Sequence, residues 1–189
     1  MNKLREHDFV CPWWVLPLFD NPLRTLLQRP DRILENLVHP DQSAADIGCA
    51  MGYLTLPLAR MVGQYGRVYA VDVQKEMLAG LRRKAQRAGL DERIRFQLAS
   101  RISTGLSEPV DFIAAFWMVH EVRDQAAFFR ELRGLLKPGG LILFAEPLIH
   151  VTAQQFANTL QLAQDAGLQV LQPRKISFSR ATLLTLPPG

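Results

Sequence analysis

The sequence predicts a doubly wound α/β domain, a mostly parallel sheet with helices on both faces. Three observations predict it. Strand and helix patterns alternate along the chain, a short apolar strand ending at Ile47 runs through glycines into a helix, and Ile113-Ala114-Ala115-Phe116 and Leu141-Ile142-Leu143-Phe144-Ala145 are continuous apolar runs. A parallel strand covered on both faces has no solvent side, so both sets of its side chains are apolar.

The elements follow in order. Ala45-Asp46-Ile47 ends the first strand, Gly48 and Gly52 shape the loop, and the helix that Gly52 opens reads Tyr53-Leu54-Thr55-Leu56-Pro57-Leu58-Ala59-Arg60. Val68-Tyr69-Ala70-Val71 is the second strand, and it ends at Asp72. A helix runs from Gln74 to Gly89, a third strand from Arg93 to Leu98 and a fourth from Val110 to Phe116. Asp124 to Leu136 is helical, and Lys137-Pro138-Gly139-Gly140 stops it with a cation near the C-terminus and breakers behind. After the fifth strand, Leu141 to Ala145, helical spacing returns from Thr152 to Ala166 through Phe156, Leu160 and Ala163. Leu168 to Arg174 and Arg180 to Leu186 are extended, and the short connection between them makes an antiparallel hairpin.

The N-terminal stretch is different in character. Cys11-Pro12-Trp13-Trp14-Val15-Leu16-Pro17-Leu18-Phe19-Asp20-Asn21-Pro22 has too much proline for a helix and too many aromatics for a solvated tail, so it packs on something. Asn21-Pro22 reads as an N-cap and first-turn proline for an amphipathic helix through Leu23, Leu26 and Leu27, and Pro30-Asp31 restarts a helix toward Val38. Residues 1–40 are thus set apart from a compact unit over 41–189. They form either a lid over the site or a structural belt on one face of the sheet.

Composition narrows the class. With 189 residues, 48% of them hydrophobic, the chain fits one domain with a sizeable core. Two cysteines, Cys11 and Cys49, are too few for a disulfide scaffold, and no charged leader with an apolar run opens the chain, which indicates a reduced, cytoplasmic setting. No apolar run approaches the roughly 18 residues that span a bilayer. The net charge of +4 owes much to Arg82-Arg83-Lys84 and Arg87 on one helix, a solvated face rather than a nucleic-acid surface. No C-x-x-C and no His/Cys cluster at ligand spacing is present, so no metal is expected.

The glycine loop carries the chemistry. Ala45-Asp46-Ile47-Gly48-Cys49-Ala50-Met51-Gly52-Tyr53 reads D-x-G-x-A-x-G, and a second acid, Asp72, lies twenty residues past Gly52. Such a loop cradles a nucleoside-bearing cofactor, with the carboxylate after the second strand accepting from two ribose hydroxyls. A dinucleotide fingerprint would aim a helix N-terminus at a pyrophosphate, whereas Asp46 repels phosphate and suits a cationic amino group. The segment resembles motif I of the class I S-adenosylmethionine-dependent methyltransferases. Ala50 stands at the middle glycine of that motif, which alanine follows if its φ stays negative.

The resemblance extends over roughly residues 30 to 187 and implies a Rossmann-like, seven-stranded sheet with its last strand antiparallel. It implies S-adenosyl-L-methionine as cofactor. Asp46 and the backbone from Gly48 through Cys49 and Ala50 to Gly52 would hold the methionine part, Asp72 the ribose, and Val73 one face of the adenine, with Tyr53 and Phe116 completing the set. Where many members carry an aspartate after the third strand, this chain has Ser100, which either accepts from the adenine amino group or caps a turn. Ile102 packs on the ring.

Phe116-Trp117-Met118-Val119-His120-Glu121-Val122 corresponds to motif IV, beside the transferred methyl. It has neither an N-P-P-[YF] loop nor a Pro-Cys nucleophile, which counts against methylation of nucleic-acid bases. His120 is the candidate general base, or else it bonds the loop backbone or braces Glu121. Glu146 and His150 lie on the same edge and either orient substrate or shape the loop. Trp13, Trp14 and Trp117, with Phe19, suit a hydrophobic or aromatic small-molecule acceptor. Cys11 and Cys49 are two buried thiols or, as in arsenite methyltransferases, a pair for a soft metalloid. The reading is a small-molecule methyltransferase, monomeric or homodimeric. Methylation of RNA or protein, or a non-catalytic cofactor-binding subunit, are the alternatives.

Overall fold

In the computed structural model, which describes residues 28–188, seven strands form one sheet in the order β3-β2-β1-β4-β5-β7-β6. The strands are β1 (Ser43–Ile47), β2 (Arg67–Asp72), β3 (Ile94–Leu98), β4 (Val110–Phe116), β5 (Leu136–Pro147), β6 (Gln169–Pro173) and β7 (Ser179–Thr185). β1 to β5 pair in parallel, and β7 runs antiparallel to both β5 and β6. This is the doubly wound sheet that the sequence predicts, with the hairpin at its end. The helices among the described residues are α1 (Pro30–Ile33), α2 (Thr55–Met61), α3 (Lys75–Arg87), α4 (Gln125–Leu135) and α5 (Ala153–Asp165).

The pleat divides the core in two. Ala44, Val68, Phe112 and Leu143 meet Leu34, Leu58 and Leu81 on one face, while Ala45, Val71, Ile113 and Phe144 meet Phe129, Leu132 and Ala163 on the other. α1 to α3 therefore cover one face, and α4 and α5 the other. Phe144 is packed by Phe129 edge-on, with ring centroids 5.6 Å apart, and by Phe156 stacked at 4.8 Å.

Three boundaries differ from the sequence reading. α1 stops at Ile33, short of Val38. Gly52 is followed by a turn, and α2 begins at Thr55. Pro57 then occupies the third helical position, where its missing N–H would have had no partner in the helix. Lys137-Pro138-Gly139-Gly140 does end α4 at Leu135, yet the chain stays extended through it as part of β5. The register jumps from Val110↔Leu136 to Phe112↔Leu141, so these four residues make a bulge at the start of the strand.

The topology fixes where a ligand sits. β1 lies between β2 and β4, so the strand order reverses there, and open α/β sheets bind ligands at the carboxyl ends of strands flanking such a reversal.

Candidate active site

A cavity of about 350 Å³ opens at that reversal, lined by Gly48, Ala50, Asp72, Val73, Ser100, Ile102, Trp117, Met118 and Glu131 among others. The loop after β1 is tethered to β2: the N–H groups of Gly48 and Cys49 both donate to the Val71 carbonyl, at 2.8 and 3.0 Å, and Gly52 N donates to Cys49 O at 2.9 Å. Gly48 has φ +72°, and a Cβ there would stand 2.9 Å from both Cβ and Cγ of Met118. Its missing side chain admits the residues that follow β4.

Ala50 corrects the sequence reading, for its φ is +45° and not negative. Its N–H donates to Asp72 Oδ2 at 2.9 Å, and that bond fixes the peptide in a loop whose flanking glycines also have positive φ. An L-residue in this region is held at a cost of about 1–2 kcal/mol.

Asp72 is the centre of the site. Oδ2 takes the Ala50 N–H and Oδ1 takes the Gln74 N–H at 2.8 Å, which leaves each oxygen further acceptor capacity on the cavity wall. Burial raises its pKa, and the N–H donors of Gln74, Ala50 and Val73 work against that rise. Asp46 is 3% exposed and does not reach the cavity wall. Thr55 Oγ1 donates to its Oδ2 at 2.5 Å. Burial, partly offset by Thr55 and reinforced by the charge of Asp72, brings the Asp46 carboxyl up to about 6. Two acids beneath one glycine loop suit a ribose diol and an ammonium, and they oppose a pyrophosphate.

At the far end of the cavity Val73 and Ile102 are exposed, Ile102 to 92%, as apolar surfaces beside the opening. Ser100 Oγ caps a turn, accepting from Ser103 N at 3.0 Å and Ile102 N at 3.3 Å. Glu131 was not singled out in the sequence. From α4 its Oε1 accepts from Ser103 Oγ, Thr104 N and Thr104 Oγ1 at 2.7 to 2.9 Å, pinning the loop after β3. No local signal reveals it, since the partners lie 27 and 28 residues away.

Trp117 on the cavity wall leads to an aromatic and acid-base group of residues beside the cavity, for Tyr53, Phe116 and His120 are not on its lining. Phe116 stacks on Trp117 at 5.4 Å and lies 6.1 Å from Tyr53. Trp117 has φ +61°, its N–H donates to Ala145 O at 2.7 Å, and its indole Nε1 donates to Ser179 Oγ at 2.9 Å. The Tyr53 hydroxyl donates to Gln28 O, and Gln28 Nε2 donates to Ser177 O. Beyond them, His120 Nδ1 lies 2.6 Å from Glu146 Oε2, and His120 N donates to Glu146 Oε1 at 2.8 Å. The His150 ring stacks on His120 at 5.7 Å. Glu146 is 1% exposed with both oxygens engaged by His120, so its carboxylate acts on the histidine, not on the cavity. Cys49 is buried, and burial, with the charges of Asp46 and Asp72, pushes its thiol well up. Cys11, Trp13 and Trp14 lie outside the described residues.

Comparison with known proteins decides the family. A family model described as a methyltransferase domain matches residues 44–140, just over half of the chain. The chain belongs to the class I S-adenosylmethionine-dependent methyltransferases. A ubiquinone biosynthesis O-methyltransferase of Xylella fastidiosa is 31% identical to this chain over 134 residues, covering 70% of this chain and 53% of that protein. A ubiquinone/menaquinone biosynthesis C-methyltransferase of Pectobacterium carotovorum is 31% identical over 118 residues, 59% of this chain and 46% of that one. The chain thus spans about half the length of the curated relatives it matches.

Among solved structures, a SAM-dependent methyltransferase of Aquifex aeolicus has a TM-score of 0.80 at 23% identity, covering 92% of this chain and 97% of its own. Aeropyrum pernix fibrillarin with natively bound S-adenosyl-L-methionine has a TM-score of 0.66 at 19% identity, over 86% and 74% of the two chains. The chain shares their fold. Its cofactor is S-adenosylmethionine, and the residues fit it: a carboxylate with acceptor capacity on the cavity wall in Asp72, acids in place of phosphate donors, and exposed apolar surfaces at Val73 and Ile102.

Proposed function

We propose that the chain transfers a methyl group from S-adenosylmethionine to a small aromatic or apolar acceptor by in-line displacement. The observation that carries this reading is Asp72, braced by two backbone N–H groups and presenting its remaining acceptor capacity to the cavity. Asp72 holds the ribose, the Gly48 to Gly52 backbone holds the methionine end with the buried Asp46 carboxyl acting on it from beneath the loop, and Val73 and Ile102 enclose the adenine. The bound cofactor supplies an electrophilic methyl group on a cationic sulfur. The chain's own contribution is placement and exclusion of water, the dominant sources of rate for a displacement of this kind. The stacked Phe116 and Trp117, with Tyr53, offer the acceptor an apolar wall, and the relatives named for ubiquinone biosynthesis support a small-molecule acceptor.

Incubation of the chain with methyl-labelled cofactor and a fractionated lysate tests the acceptor class. Label is expected in the low-molecular-mass fraction, and label recovered in RNA or protein would overturn the reading.

Asp46 supplies a second expected result. Ligand-free, its carboxyl is half protonated near pH 6. An ammonium drawn close favours the carboxylate, lowers that pKa and expels the proton. S-Adenosylhomocysteine binding should therefore release a fraction of a proton at pH 6 and almost none at pH 8. Calorimetry in two buffers of different ionisation enthalpy measures this, and Asp46→Asn should abolish it.

A further inference from the structure

The pairing of His120 with Glu146 is more specific than loop packing requires. Glu146 leaves β5, His120 sits in the 3-10 turn Val119–Glu121 after β4, and the two strands are parallel neighbours, so the pair spans the carboxyl edge of the sheet. A carboxylate accepts and does not donate, so the 2.6 Å contact places the hydrogen of the neutral ring on Nδ1. Nε2 is then the basic nitrogen, and it has no partner among the described residues. The backbone bond from His120 N to the other carboxylate oxygen, at 2.8 Å, locks main chain and ring to one group. With the His120 side chain still 26% exposed, the ring keeps access to solvent or substrate.

We propose that the acceptor is a hydroxyl compound of the phenol class, that His120 Nε2 takes its proton, and that Glu146 is the positioning residue that sets the tautomer and basicity of His120. This rests on the small-molecule reading above. As the acceptor oxygen forms its bond to the methyl carbon, the carbon–sulfur bond breaks with its electron pair going to sulfur, and the hydroxyl proton passes to Nε2. The imidazolium so formed lies against the Glu146 carboxylate and returns its proton to water. An acceptor that reacts through an unprotonated heteroatom has no proton to lose and would not need the pair.

The charged groups around the ring agree. Burial works to lower the pKa of His120, but the Glu146 hydrogen bond, its charge and the charge of Glu121 outweigh it and the net direction is upward. His150 stacks on the ring, and Arg180, the cross-strand partner of Glu146, sends its guanidinium to the Val151 carbonyl instead.

The test has two arms. In the ligand-free protein, an NMR titration of the His120 ring should show the Nδ1–H tautomer and a pKa that falls by about one unit or more in Glu146→Gln, with Glu146→Asp recovering part of the shift. An unmoved titration would overturn the positioning role. This arm needs neither cofactor nor acceptor, so it judges Glu146 even where methyl transfer fails. In the second arm, labelled S-adenosylmethionine is offered with a panel of simple phenols and catechols. The acid limb of kcat/KM against pH should move down with Glu146→Gln, and His120→Gln should lower kcat on the order of 100-fold with cofactor affinity unchanged. Absence of transfer to every phenol would overturn the hydroxyl class, and full turnover by His120→Gln would overturn the base.

Discussion

Asp72→Ala is expected to weaken S-adenosylhomocysteine binding by at least about a hundredfold. Hydrogen bonds to a charged group are worth about 1.5–3 kcal/mol each, and the proposed ribose contact makes two, so a loss of about 3–6 kcal/mol is on the order of 10² to 10⁴ in affinity. The substitution also strips the partners from Ala50 N and Gln74 N, the two amides that shape the loop after β1 and the start of α3. Asp72→Asn separates the contributions. It keeps the shape, but turning one oxygen into an NH2 sets a donor against either a loop amide or a ribose hydroxyl, so an intermediate loss is expected. Calorimetric titration measures both variants, and an Asp72→Ala chain that binds like the parent would remove the ribose assignment.

The second large effect is on stability. Gly52 has φ +88°, and a Cβ built on it would stand 2.2 Å from Cδ1 of Leu81, which is fully buried. Gly52→Ala combines a backbone penalty of about 1–2 kcal/mol with an overpacked core costing about 1–3 kcal/mol. A total loss of about 2–5 kcal/mol is expected by urea denaturation. Gly89→Ala is the internal comparison, because Gly89 has φ +65° but nothing within 4 Å of its Cβ position, so it should lose the backbone part alone. Equal losses at the two positions would show that α3 yields to the new methyl group and that the contact with Leu81 is soft.

Much of this was legible along the chain. β4 and β5 are buried on both faces and read as unbroken apolar runs, and the hairpin at the sheet's end declared itself by its short connection. Asp46, the glycines and Asp72 announced a nucleoside-bearing cofactor by their spacing, and the resemblance to motif I implied which one, because that constellation sits within one β-α-β unit. What was not legible depends on contacts between distant segments. Ala50 is held at positive φ by Asp72, a partner 22 positions away, and no rule of local propensity anticipates it. Glu146 read at a strand end either as orienting substrate or as shaping the loop, and its two bonds to His120, which come from the neighbouring strand's loop, were not visible locally. Glu131 reads as one more acid on a helix until the loop after β3 folds against it.

The antiparallel β7 has a consequence for the order in which the site is made. Ser177 and Ser179, at the threshold of β7, receive the Gln28 amide and the Trp117 indole, although β7 follows every other strand in sequence. During synthesis the β1–β2 half that cradles the cofactor is complete well before the ribosome reaches residue 177. The aromatic wall beside Trp117 is fastened only afterwards, so a nascent or truncated chain would hold the proposed donor half with the proposed acceptor wall still loose.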